Sequence, residues 1–426
     1  MANDENLLIQ IASYNTNLQN VEGLPQDLVD WLSPTLRVSG FLSNSKQSPD
    51  IIAVGFQELL PLHLGLSGRS TQLLQDREKH ILASIEANSP TQERYTLLGK
   101  VVNVGVALLV FAVDSGVARR ACDIQTQWTG SGPCYMGNKG AVGLRFRVPT
   151  ESGGLGETYT FVCAHLTAHA PKLQRRIDDY RHITGSLLFP PLPNSTSSQP
   201  TTIYDTSHMF FFGDLNFRLD IPQTHALHGH KQITELASAL DHSKFREEIK
   251  EYDQLLIEKR KGTVFQGLRE GRFWDFKCTY KYIQGEVNRY STKRVPSWTD
   301  RILYASHLDS PQQPDTTAIT NLLYTSVPSY TTSDHKPIIA LLHAPRLTAA
   351  GEGIPLLQST GPAITPDPYA NLKRYSGRTL DRIIGYIWWL LSLIGAGSSI
   401  VGIFNCFVSI GAWRWWTLQS PSGTPV

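Results

Sequence analysis

Apolar and polar positions alternate in blocks along most of the chain. Short runs rich in Val, Ile, Leu and Phe occupy residues 7–14, 51–56, 101–113, 141–148, 158–163, 209–212 and 338–342, and each predicts a strand. Between them lie stretches with helical spacing. In residues 71–87 the apolar positions are Leu73, Leu74, Ile81, Leu82 and Ile85. Residues 172–188 and 232–261 also read as helices with charged faces. Strands alternating with helices predict an α/β domain. Residues 188–207 and 307–318, rich in Pro, Ser, Thr or Asp, read as surface loops.

The pattern changes after residue 345. Residues 346–382 contain Pro355, Pro362, Pro366 and Pro368 together with Gly351, Gly353 and Gly361, and read as a linker. If flexible, 37 residues would span about 33 Å. Residues 383–413 follow without one charge, longer than the roughly 20 residues that cross a bilayer. A transmembrane helix is expected there, with a short tail over 414–426. Arg374, Arg378 and Arg382 precede it and place that side in the cytosol, and Trp388, Trp389, Trp413, Trp415 and Trp416 suit the two interfaces. The position near the end of the chain predicts a tail anchor. Gly395–Ser399 sits mid-segment and leaves a re-entrant hairpin as the competing topology.

Composition adds exclusions. Hydrophobic residues are 41% and charged residues 18%, with a formal net charge of +2. There is no global basic field for nucleic acid, and no nucleic-acid partner is expected. The five cysteines are scattered and lack CxxC spacing, which disfavours disulfide and zinc frameworks. None has an arginine six residues later, so a cysteine-based phosphatase is excluded. The N-terminal stretch has no basic region before its apolar run. No secretory signal is expected, and the catalytic part is expected in the cytosol.

Candidate chemistry gathers where strands end. Asn15 closes the first run, Glu58 follows the second, Asp214 and Asn216 follow 209–212, and Asp334 and His335 precede 338–342. In α/β sheets, ligands bind at strand ends. Carboxylate and amide oxygens gathered there suit a hard cation such as Mg²⁺. Singly, each has an ordinary explanation: GDLN reads as an Asx turn, and Glu58 as a first-turn helix acid.

Their order is what carries meaning. SYNTN, GFQEL, NVGVALLVF, GNKGAVGLRF, AHLTAH, GDLNFRL, FKCTYKY, RVPSWTDRILY and TSDHKP resemble, in sequence, the signature blocks of the inositol polyphosphate 5-phosphatases. That family lies in the DNase I / exonuclease III / sphingomyelinase superfamily, and the resemblance covers about residues 7–342. It implies a DNase I-like four-layer α/β sandwich, two packed mixed sheets flanked by helices, over residues 1–345. It implies Mg²⁺ at Glu58, Asn15 and Asp334. Asp214 would activate water with Asn216, while His335, its partner Asp300, and His165 would face the scissile phosphate. Lys139, Tyr280, Lys281, Arg294 and Lys293 would bind substrate.

One block departs from the family pattern. The usual Lys-x-Arg-x-Pro has Thr292 at its first position, with Lys293 beside it. Thr299 stands where a Cys is common. The implied activity is Mg²⁺-dependent hydrolysis of the 5-phosphate of phosphoinositides such as phosphatidylinositol 4,5-bisphosphate, or of soluble inositol phosphates. A monomer held on a membrane, the endoplasmic reticulum first, is expected. A phosphodiesterase of the same superfamily and a catalytically weak lipid-binding module are the alternatives.

Overall fold

A computed structural model describes residues 6–18, 30–42, 48–193, 198–229, 232–347, 353–358, 364–393 and 399–419. Strands β1 (Asn6–Asn15), β2 (Ile51–Gln57), β3 (Tyr95–Asn103), β4 (Val106–Val113), β5 (Cys122–Gly130) and β6 (Gly140–Val148) occupy the first half. Strands β7 (Glu157–His165), β8 (His208–Asp214), β9 (Arg269–Glu270), β10 (Asp300–Ser306), β11 (Thr320–Ser326) and β12 (Ile338–Pro345) follow. Helices are α1 (Ser33–Leu42), α2 (Leu62–Ser67), α3 (Ser70–Asn88), α4 (Val117–Arg120) and α5 (Leu173–Ser186). Then come α6 (Ile233–Ala239), α7 (Ser243–Ile249), α8 (Gln254–Arg260), α9 (Ala370–Leu393) and α10 (Ser399–Gln419).

The strands form two mixed sheets of six, in the orders β11-β12-β1-β2-β4-β3 and β5-β6-β7-β8-β10-β9. Each has one parallel pair at its centre, β1 with β2 and β7 with β8; the other pairings are antiparallel. Ile9, Ile11, Ile51, Leu108 and Val110 of one sheet meet Leu144, Phe161, Phe210 and Phe212 of the other in a shared core. The outward residues are buried too. Ile52, Val54, Phe56 and Leu109 pack under Leu74, Ile81 and Ile85 of α3. On the far side, Val162, Met209 and Phe211 pack under Ile177 and Ile183 of α5. The expected four layers, helix–sheet–sheet–helix, result. Burial on both faces is why the central strands read as continuous apolar runs rather than alternating ones.

Gly55 of β2 faces the second sheet at close range. A Cβ there would lie 2.6 Å from Phe212 Cε2 and 2.7 Å from Cys163 Sγ. Gly55→Ala is expected to destabilise the chain by about 1–3 kcal/mol, as an overpacked core does, read as a lower urea midpoint with unchanged slope.

Several elements differ from expectation. The run 101–113 is split between β3 and β4 by a turn at Val104, whose φ is +54°. Residues 232–261 form three short helices, because new starts interrupt the charged stretch. The Asp253 side chain accepts the Leu256 amide at 2.9 Å and caps α8. Strands β5, β9, β10 and β11 were not expected. β5 is a polar edge strand with much of its length exposed, and β10 opens on the charged pair Asp300–Arg301.

The C-terminal region departs most. Residues 353–358 lie along the domain, with the Leu357 amide donating to Thr206 O at 2.8 Å. Helix α9 begins at Ala370, inside the stretch read as linker, and packs against α2 and the loop between β5 and β6. A freely searching linker is therefore not what joins the two parts. The uncharged run is shared between the last turns of α9 and α10, and residues 394–398 lie outside the described residues. Among the described residues, no helix is long and apolar enough to cross a membrane. The expected single transmembrane helix is absent from them.

Candidate active site

The sheet topology brings the strand-end residues together. β1, β2, β7 and β8 run in parallel pairs, so Asn15, Glu58, His165 and Asp214 lie at their carboxyl ends. β10 and β12 run antiparallel to their neighbours, so Asp300 and His335 lie at their starting ends on the same edge. Facing edges of two packed sheets then supply a cleft of about 770 Å³ lined by both.

At its floor is a line of buried charges. Asp300 Oδ2 accepts hydrogen bonds from Thr279 Oγ1 at 2.6 Å and Thr299 Oγ1 at 2.9 Å, and sits 2.9 Å from His335 Nδ1. His335 Nε2 lies 3.9 Å from Asp214 Oδ2. Burial opposes charge on His335, but the Asp300 and Asp214 carboxylates outweigh it and lift the imidazole to about 10. It is a cation at neutral pH. The Tyr280 ring packs against it at 4.6 Å between centroids. Asp214 is buried, yet His335 and His165 hold its carboxyl well below the usual range. It also accepts the Asn15 Nδ2 amide at 2.9 Å and the Asn216 backbone amide at 3.1 Å.

A second group faces it. Lys139 Nζ lies 2.5 Å from His165 Nε2 and 4.0 Å from Glu58 Oε1. Burial and then the Lys139 ammonium push His165 below its ordinary range, so a neutral imidazole sits 3.3 Å from Asp214 Oδ2. Glu58 has a backbone φ of +52°, pinned by hydrogen bonds from Thr16 and Leu18 to its carbonyl. At the mouth, Lys281 pairs with Asp334 at 2.5 Å, and Lys293 and Arg294 line the rim.

Residues 12–341 match the family described as Endonuclease/Exonuclease/phosphatase family 2. The chain belongs to that family. It is 31% identical over 341 residues to Synaptojanin-2 of Rattus norvegicus, covering 74% of this chain and 21% of that protein. It is 29% identical over 340 residues to the Type II inositol 1,4,5-trisphosphate 5-phosphatase of Mus musculus, covering 78% of this chain and 29% of that protein. The chain thus spans less than a third of the length of these relatives. The fold resembles the inositol polyphosphate 5-phosphatase domain of SPsynaptojanin, solved with inositol (1,4)-bisphosphate and calcium. That match has a TM-score of 0.58 and 23% identity, and covers 92% of this chain and 94% of the other.

Within this family framework, the sequence-predicted residues converge on one cleft, in two sets. The proposed metal residues Glu58, Asn15 and Asp334 are not equivalent. Glu58 Oε1 lies 3.8 Å from His165 Nε2 and 4.0 Å from Lys139 Nζ and lines the cleft, as the carboxylate ligand of a divalent cation should. Asn15 donates to Asp214 while its carbonyl accepts the Asn17 amide at 3.0 Å, so it buttresses the carboxylate. Asp334 is engaged by Lys281. Asp214, Asp300 and His335 also converge closely enough to suit an ion. Asp300 Oδ2 already has three partners, while its buried Oδ1 has no hydrogen-bond partner among the described residues. Glu58 and the Asp214–Asp300–His335 group thus both offer ligand atoms to a divalent cation in this cleft.

Lys139 was expected among the substrate-binding residues, and its ammonium lies with the floor groups. Lys293, rather than Thr292, lines the cleft. Thr299 strengthens the hold on Asp300 through a hydroxyl that donates better than a thiol. Sequence reasoning missed Arg218, which lines the cleft, donates to Asn216 and stacks over Tyr280 at 4.4 Å. Its signal was available: it is the arginine that closes GDLNFR.

Proposed function

We propose that this chain hydrolyses the 5-phosphate of phosphoinositides such as phosphatidylinositol 4,5-bisphosphate, with Mg²⁺ as cofactor, on a membrane held by its C-terminal helices. The observation that carries this reading is the Asp300–His335–Asp214 line, which opens into the same cleft as Lys139, Lys281, Lys293 and Arg294. A phosphomonoester with further phosphates around its ring needs both: a preorganised catalytic floor and a cationic rim. The relatives named for inositide substrates support the same class.

The geometry supports the following roles. Asp214, kept ionised, takes the proton of a water held with Asn216 and in line with the scissile bond. The water oxygen bonds to phosphorus as the bond to the ring oxygen breaks; the ring oxygen takes a proton from water in the open cleft, and Asp214 returns the proton it gained to solvent, so that hydrogen phosphate and the ring hydroxyl leave. His335, fixed by Asp300, and Lys139 face the charge on the phosphoryl oxygens. Mg²⁺ at Glu58 would supply charge neutralisation there. Lys281 and Arg294 hold the neighbouring phosphate, with Lys293 in the place of the family's lysine.

Membrane attachment is supported by the exposed apolar residues of α9 and α10. They include Ile383, Ile387, Leu390, Phe404, Phe407 and Ile410, all at least half exposed. Such a surface fits lipid better than water. A single span and a hairpin seated in one leaflet are the two topologies such a surface would serve.

Phosphate release from a panel of inositides tests the reading. We expect release from 5-phosphorylated phosphoinositides that is lost in EDTA and restored by Mg²⁺. The full chain should float with liposomes and with endoplasmic reticulum membranes, and a chain ending at residue 382 should not. Cleavage of nucleic acid or sphingomyelin with no phosphate from any inositide would make it a phosphodiesterase instead. Inositide binding without turnover would make it a lipid-binding module.

A further inference from the structure

Lys139 sits on the loop between β5 and β6, and that loop is bonded largely to itself. The Ser131 amide donates to Lys139 O at 2.8 Å, and the Gly132 amide to Met136 O at 3.0 Å. From outside, Arg175 of α5 donates to Ser131 O at 2.8 Å. The Gly137 amide turns outward. It meets the Asp381 carboxylate of α9, 3.0 Å from Oδ2 and 3.2 Å from Oδ1, across 244 positions of sequence.

This contact belongs to a whole helix face. Lys373 and Arg374, Gly377 and Arg378, and Asp381 and Arg382 recur every four residues, on one side of α9. Arg374 donates to Gln127 of β5 at 2.6 Å, and Arg378 stacks on Trp128 of the same strand at 3.3 Å. Arg382 donates to Leu66 O at 2.9 Å. At Gly377 a Cβ would fall 2.0 Å from Tyr135 O, so the helix backbone lies directly on the loop. Asp381 is 3% exposed. A buried carboxylate is costly unless something uses it, and its hydrogen bonds come from the Gly137 amide. Burial raises its carboxyl to about 6, which leaves it ionised and accepting at neutral pH.

We propose that Asp381 is a positioning residue for the reaction: by holding Gly137, α9 fixes the loop that aims Lys139 at His165 and Glu58. The proposal rests on the phosphatase reading above. It makes the C-terminal helix part of the active site's support rather than only its tether. The same helix continues into the exposed apolar turns after Asp381, so whatever holds those turns also bears on the loop.

The test uses the full chain and a short-chain soluble 5-phosphorylated phosphoinositide. Asp381→Ala is expected to lower kcat/KM about tenfold, less than the roughly 100-fold that a full ångström of misplacement can cost. Asp381→Asn keeps an acceptor oxygen and should recover most of that loss. Amide exchange of a peptide covering Gly137 should quicken in Asp381→Ala. In a Lys139→Ala background, adding Asp381→Ala should cost little more, because the two act through one ammonium. An equal further loss there, or wild-type kcat/KM and wild-type exchange in Asp381→Ala, would overturn the proposal. Where Asp381→Ala does not fold, Asp381→Ser, too short to reach the amide, replaces it. If the wild-type chain releases no phosphate, the phosphatase reading fails by itself, and exchange at Gly137 alone decides the loop contact.

Discussion

Asp214→Ala should reduce phosphate release about a thousandfold at saturating substrate. Its carboxylate is the one held ionised by a cationic imidazole while lying in reach of both halves of the cleft. General-base assistance alone contributes roughly 10²–10⁴-fold. The Asn15 amide and the Asn216 backbone amide aim it, so its geometry is built for one position. Asp214→Asn, which retains shape and an acceptor oxygen, should be nearly as inactive, because an amide takes no proton. Substrate binding, read by equilibrium dialysis on either variant, should stay within a few-fold, since the rim cations are untouched. Turnover within tenfold of wild type would remove Asp214 from the water-activating role.

Arg301→Met is expected to be the most destabilising single change in the β10 region. Arg301 is fully buried. It donates to Glu270 through Nε at 2.6 Å and Nη2 at 2.7 Å, and to Asp253 at 2.9 Å, while its guanidinium lies 3.7 Å over the Phe273 ring. Met matches the stem but leaves two buried carboxylates without their cation. Breaking such a pair costs about 3–5 kcal/mol. That corresponds to a fall in Tm on the order of 10 °C. Asp253 also caps α8, so amide exchange in α8 should rise with it. Restoring stability by Asp253→Asn with Glu270→Gln in the Met background would support charge as the cause. A Tm within about 2 °C of wild type would show that the triad contributes little.

Arg301 also marks the limit of a signature. It lies in PSWTDRIL, one of the blocks that carried the family resemblance, beside the site residue Asp300. A sequence block does not say which of its residues face substrate. Asp300 opens β10 toward the cleft, and Arg301, one residue on, points to the opposite side of the strand. The alternation of a strand makes that division, and it becomes visible only once β10 is paired with β8.

The sequence by itself determined an α/β domain and, through the order of its blocks, the family and the layered sandwich that the resemblance implies, because each leaves a local trace. Continuous apolar runs, helical spacing and ordered polar blocks are all short-range. It also singled out Asp214, Asp300, His335, His165 and Glu58 as residues of one site. Only the tertiary structure decided how those residues divide the work. Asn15 buttresses Asp214, Asp334 is held by Lys281, and Lys139 sits on the floor, because these are distances between strand ends far apart in sequence. The C-terminal stretch is the clearest case. Its prolines and glycines read as linker and its uncharged run as one span, since hydropathy counts residues without partners. The face of α9 that meets the Gly137 loop exists only against the folded domain, where Gly377 permits contact and Asp381 finds its amide.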